Sequence, residues 1–95
     1  MNKIEHLLAC LTEECAEITQ AADKALRFGL DDQRPGGETD NRMDIEREIN
    51  DLVGVIELLV ENGVTIHQHR HYIDAKKEKV LKFMDYARNK GTLQG

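Results

Sequence analysis

With 95 residues the chain reads as a single small domain spanning 1–95, of a size whose core a partner subunit often completes. Two Phe, two Tyr and no Trp leave Leu, Ile, Val and Ala to do the packing, which suits helices better than a sandwich of strands. A formal net charge of -5 argues against a protein that coats a nucleic-acid polymer, yet a phosphate-bearing substrate stays open because a divalent cation inverts local charge.

Helical periodicity first appears from about Ile4 to Phe28, with Ile4, Leu7, Leu8, Leu11, Cys15, Ile18, Ala22, Ala25 and Leu26 on one stripe and Gly29 as the stop. The stretch DDQRPGGETD that follows Leu30 is a loop by every turn signal, and Thr39, Asp40 or Asn41 can cap what comes next. A second helix is expected from about Arg42 to Glu61 on Ile45, Ile49, Leu52, Val53, Ile56, Leu59 and Val60, ended by Asn62-Gly63. Thr65 with Gln68 reads as a capping box opening a third helix that runs to about Arg88, with Ile66, Ile73, Val80, Met84 and Ala87 inward. The fold class is therefore all-α: three long helices and a loop. Three such helices expose more apolar stripe than one chain covers, so a homodimer or homotetramer completing a four-helix-type bundle is expected.

Cys10 and Cys15 lie five residues apart, about 140° around a helix, and cannot bridge to each other. They read as two small buried residues in a reducing compartment. With no secretion signal and no apolar run long enough for a span, the expectation is a soluble cytoplasmic protein without a membrane partner.

The informative residues are acids that fail to join the solvated face. At about 100° per residue, Glu48 falls inside the apolar sector of the second helix and Asp51 at its margin, while Glu46, Asn50, Glu57 and Glu61 point to water. Glu14 falls between Leu7, Cys10 and Ala21 on the first helix, and Glu17 lies at the same edge one turn on. Glu13 points further toward solvent. Burying such carboxylates without partners is costly or forces protonation, and a Mg²⁺ ion with oxygen ligands resolves the conflict. Acid pairs three residues apart are also common on plain solvated helices, so the pattern alone admits both readings. A carboxylate-bridged di-iron bundle requires Glu-x-x-His pairs, and none occurs.

EECAE at 13–17 and EIND at 48–51 resemble the Glu-Glu-x-x-Glu and Glu-x-x-Asp motifs of the MazG-type all-α nucleoside triphosphate pyrophosphohydrolases. KALRFGL at 24–30 and AKKEKV at 75–80 are similar to compact phage and bacterial members, so the likeness covers nearly the whole chain. The resemblance implies Mg²⁺-dependent cleavage of a (deoxy)nucleoside triphosphate to monophosphate and pyrophosphate in nucleotide-pool housekeeping, with Mn²⁺ as a substitute ion. It implies that Glu14, Glu17, Glu48 and Asp51 hold the metal and that Glu13 orients a water or ligand; a glutamate near such a cluster can accept the water's proton, with Glu14 and Glu17 as equal candidates. A phosphoribosyl-ATP pyrophosphohydrolase shares the architecture and reaction type. A non-enzymatic helical interaction module, its acids merely solvated, is the rival of a different class.

Phosphoryl chemistry asks for basic groups around the cluster. Lys76 lies inside the apolar stripe of the third helix with Lys79 at its edge, fitting either phosphate contact or a snorkelling stem, and the resemblance favours the former. Lys24, two turns from Glu17, is a second candidate. Arg27 reads chiefly as a solvated helix-end charge, and Phe28 as a base-stacking ring or a core or interface aromatic. On a helix His67 and His71 share a face while His69 points elsewhere, which disfavours three-way ligation of a metal, although a strand would align all three.

Overall fold

A computed structural model describes residues 1–95 and contains three helices, α1 (Lys3–Phe28), α2 (Asn41–Glu61) and α3 (Arg70–Lys90), with no strand. None is long and apolar enough to cross a membrane. Asn2 starts α1 with a reciprocal capping box: its side chain accepts from the Glu5 amide at 2.8 Å, and Glu5 accepts from the Asn2 amide at 3.0 Å. Gly29 closes the helix with φ 99°, a backbone region that side chains with a Cβ rarely adopt. Asp40 caps α2 by accepting from the Met43 amide at 2.8 Å.

The intervening loop is pinned at its base. Buried Asn41 donates its side-chain N–H to the Gly29 carbonyl at 2.8 Å, and the Arg42 amide bonds the Leu30 carbonyl at 2.9 Å. At the tip, Pro35 and Gly36 (φ 76°) occupy the centre of a turn closed by the Gly37 amide on the Arg34 carbonyl at 2.8 Å.

α1 and α2 pack against each other as an antiparallel hairpin, since Gly29 meets Asn41 at one end while Glu14 and Glu17 meet Glu48 and Asp51 further along. The residues turned inward repeat at three and four. On α1 they are Ile4, Leu7, Leu11, Glu14, Ile18, Ala21 and Ala25; on α2, Asn41, Ile45, Glu48, Leu52, Val55, Ile56 and Leu59, the last fully buried. This stripe is rotated from the expected one. Leu8, Cys15, Ala22 and Leu26 on α1 and Ile49, Val53 and Val60 on α2 are exposed, while Ala21 is buried and Cys10 half-buried. Both helices carry more than one apolar sector, and the hairpin uses the one that includes Glu14 and Glu48. The expectation that both cysteines are buried therefore fails for Cys15.

The third helix begins later than expected. Residues 64–69 are not helical, α3 starts after His69, and no side chain caps it, so Thr65 and Gln68 form no capping box. Val64, Thr65 and Ile66 are β-branched in succession, and each loses χ1 freedom in a helical turn, which tips this stretch toward extended chain. Ile66 and Val80, expected inward, are exposed, while Ile73, Met84 and Ala87 are half-buried. No Cα of α3 comes within 8 Å of α1 or α2. The Cα radius of gyration, 16.9 Å, accordingly exceeds the roughly 12 Å of a compact domain of this length.

Candidate metal centre

Glu14 and Glu17 come from the middle of α1, Glu48 and Asp51 from the middle of α2, each pair separated by three residues and so by one helical turn. Antiparallel packing sets the two turns face to face. One carboxylate oxygen from each of the four residues lies within 4.8 Å of all the others. Glu14, Glu17 and Glu48 are partly buried and Asp51 is exposed, so the cluster sits at the rim of the hairpin's packed seam.

Glu14 Oε2 and Glu48 Oε2 are shielded from water with no hydrogen-bond partner, a condition that folded proteins rarely leave unrelieved. Electrostatics tell the same story. The Glu17 carboxyl is pushed up to about 7, first by a hydrogen bond to Glu48, then by the Glu14 charge, desolvation, and the charges of Glu48 and Glu13. Glu14 is raised by burial and by the charges of Asp51, Glu48 and Glu13, against a lowering hydrogen bond from Glu17. Four carboxylates this close cannot all ionise cheaply, and a proton on Glu17 relieves part of the repulsion. A divalent cation offsets more of it than one proton does, and the 4.8 Å spread encloses the roughly 4 Å between opposite oxygens of an octahedral Mg²⁺. The donor set is all oxygen, as a hard cation requires.

A cavity of about 310 Å³ opens beside the cluster, lined by Glu17, Gln20, Ala21, Lys24, Arg34, Asn41, Asp44, Arg47 and Glu48. Ala21 supplies the small wall, and Lys24, Arg34 and Arg47 ring the opening with positive charge. Arg47 bridges Asp44 at 3.3 Å and Glu48 at 3.6 Å, and Asp44 also accepts from the Thr39 hydroxyl at 2.8 Å, so the rim is tied to the acid cluster through Glu48.

Of the residues singled out from sequence, the fold brings Glu14, Glu17, Glu48 and Asp51 together and places Lys24 at the cavity. Glu13 faces solvent but acts on both neighbours through its charge. Arg27 pairs with Asp23 at 3.1 Å and lies over the exposed Phe28 ring at 5.2 Å, and neither lines the cavity. Lys76 and Lys79 are exposed on α3, apart from the cluster within one chain. Sequence reasoning missed Gln20, Arg34, Asn41, Asp44 and Arg47. Arg47 was the findable one, because it immediately precedes an inward-facing glutamate.

Fold and site together define a helical-hairpin protein with a four-carboxylate cluster beside a basic-rimmed cavity. No protein-family model, curated protein or solved structure matches the chain.

Proposed function

We propose that the chain is a Mg²⁺-dependent nucleoside triphosphate pyrophosphohydrolase, converting a (d)NTP to the monophosphate and pyrophosphate, with Mn²⁺ able to replace Mg²⁺. The observation that carries this reading is the convergence of Glu14, Glu17, Glu48 and Asp51, with two partnerless buried oxygens, beside a cavity edged by Lys24, Arg34 and Arg47. An anionic substrate and an acid cluster are compatible only with a cation between them, and such an ion neutralises phosphate charge and acidifies water.

The chain's own residues do the rest. Lys24 and Arg34 meet phosphate oxygens, and Arg34 can do so in bidentate fashion. Arg47 holds Glu48 in place through its 3.6 Å contact. Glu17 faces the cavity whereas Glu14 does not, so Glu17 is the better placed to take the proton from the attacking water. Water adds across the α–β phosphoanhydride, pyrophosphate leaves, and the proton passes to Glu17.

The same reading puts a second copy of the chain on the open apolar faces, completing a bundle in the cytoplasm, where nucleotides are made. Its support is the exposed band of Leu8, Leu26, Ile49, Val53 and Val60, the detached α3 with exposed Leu81 and Phe83, and charge complementarity. α1 and α2 carry eleven Asp and Glu against five Lys and Arg, whereas α3 carries seven Lys and Arg against three acids. An α3 arm from a partner would bring Lys76 and Lys79 toward an acidic hairpin.

The test is pyrophosphate release with Mg²⁺ from a panel of canonical and modified (d)NTPs and phosphoribosyl-ATP, with the nucleotide product identified. Monophosphate and pyrophosphate from any member, abolished in Glu48→Gln and Asp51→Asn, supports the proposal. Silence across the panel, or full activity in either variant, overturns it.

A further inference from the structure

The cavity beside the acid cluster is short of a different charge at each end. At one end stand Glu17 and Glu48, and there Glu14 Oε2 and Glu48 Oε2 are shielded from water without a hydrogen-bond partner. Toward the loop end stand Lys24 and Arg34, which enter none of the chain's ion pairs. Arg47 is already held by Asp44 at 3.3 Å and Glu48 at 3.6 Å. Lys24 follows Glu17 by seven residues on α1, and Asn41 precedes Glu48 by seven on α2. The two ends are therefore about 10 Å apart along the hairpin. Ala21 is the one apolar side chain on the wall, and no aromatic ring lines it.

We propose that this cavity is a pyrophosphate subsite, taking the β- and γ-phosphates of the substrate with the metal ion at its acid end. A cation alone satisfies the carboxylates and leaves Lys24 and Arg34 without a counter-ion; an anion alone does the reverse. A short phosphate chain carrying its own divalent cation meets both ends at once. Arg34 offers a guanidinium fork to two phosphate oxygens, and Lys24 a point charge. A base, in contrast, is held by a flat apolar or aromatic wall with a few placed polar groups, and this cavity has no such wall. The hairpin therefore reads the phosphate chain and not the base, which projects beyond the cavity. The nucleotide in this account rests on the hydrolase reading above, whereas binding of inorganic pyrophosphate follows from the cavity itself. Pyrophosphate left in the subsite after the α–β bond is cut competes with the next triphosphate.

The full chain in excess Mg²⁺ is titrated with inorganic pyrophosphate by calorimetry, with orthophosphate as the comparison. One pyrophosphate per chain is expected, bound at least about tenfold more tightly than orthophosphate and undisturbed by millimolar unphosphorylated nucleosides. Lys24→Gln/Arg34→Gln is expected to weaken it by more than about tenfold through loss of charge-assisted contacts, while Mg²⁺ affinity measured alone changes by less than about twofold. Circular dichroism checks that these exposed substitutions leave helix content unchanged. Four results overturn the assignment: no pyrophosphate binding, orthophosphate binding as tightly, binding that survives the double substitution, or displacement by a nucleoside. A protein silent toward every nucleotide that still binds pyrophosphate in this way sinks the hydrolase reading and leaves the subsite standing; turnover without such binding does the opposite.

Discussion

Titrating Mg²⁺ into the metal-free protein at two pH values puts the carboxylate cluster under direct test. Glu17 holds a proton with a pKa of about 7, shared with Glu48 by a hydrogen bond, and that proton occupies space the cation needs. Binding must therefore expel it. With this pKa, roughly nine-tenths of a proton leaves per ion bound at pH 6 and about one-tenth at pH 8, so apparent affinity rises about tenfold from pH 6 to pH 8. Calorimetry in two buffers of different ionisation heat reads both quantities at once. Metal-free stability carries the opposite trend. Glu17 is raised above its ordinary value of 4.5, so its contribution is fully present below pH 4.5 and is lost as pH rises through 7; the raised Glu14 acts in the same direction. The melting temperature without metal should thus decline from about pH 5 to pH 7.5, and Mg²⁺ should restore it. At pH 8 and a hundredfold excess over Kd, the ion adds about 2.7 kcal/mol, or roughly 10–20 °C for a domain of this size. Glu17→Gln should cross over: more stable than wild type without metal at pH 8, less stabilised with it, and without the pH dependence of affinity between 6 and 8. Affinity that does not change with pH, or melts that stay flat as Mg²⁺ rises, would refute the argument.

Two further outcomes test the scaffold. Leu59→Ala empties the one fully buried large side chain of the hairpin and should cost about 2–5 kcal/mol, read as a lower urea midpoint with little change in slope. Val53→Asp places a charge in the exposed apolar band and should shift sedimentation toward the monomer while helix content holds; an unchanged assembly mass would show that this band is not the subunit contact.

The acids were legible because their position depends only on helical arithmetic. Once Val55 and Leu59 share a face, Glu48 must lie between them, and the same holds for Glu14 between Leu7 and Ala21. The choice of face was not legible in the same way. Leu8, Cys15, Ala22 and Leu26 on α1, and Ile49, Val53 and Val60 on α2, form stripes as regular as those the hairpin buries, and periodicity records which residues share a side, not what lies opposite. The start of α3 was misjudged because Thr65 and Gln68 satisfy the spacing of a capping box, while the run of β-branched residues beside them favours extended chain. Arg34 left no trace at all. A loop residue has no period, and its approach to the cavity depends on how Asn41 and the turn at Pro35 fold the loop back.

That pinned loop separates two properties that most sites entangle. The acids sit on rigid helix turns, while Arg34 rides on a tip where Gly36 has open space around it and the loop ends are clamped by Asn41 and Arg42. Residues inserted between Pro35 and Gly37 would swing Arg34 to a new position without altering the register of Glu17 against Glu48. The placement of the four acids and the placement of Arg34 are therefore set by separate parts of the chain, and the length of one hairpin tip governs the second alone.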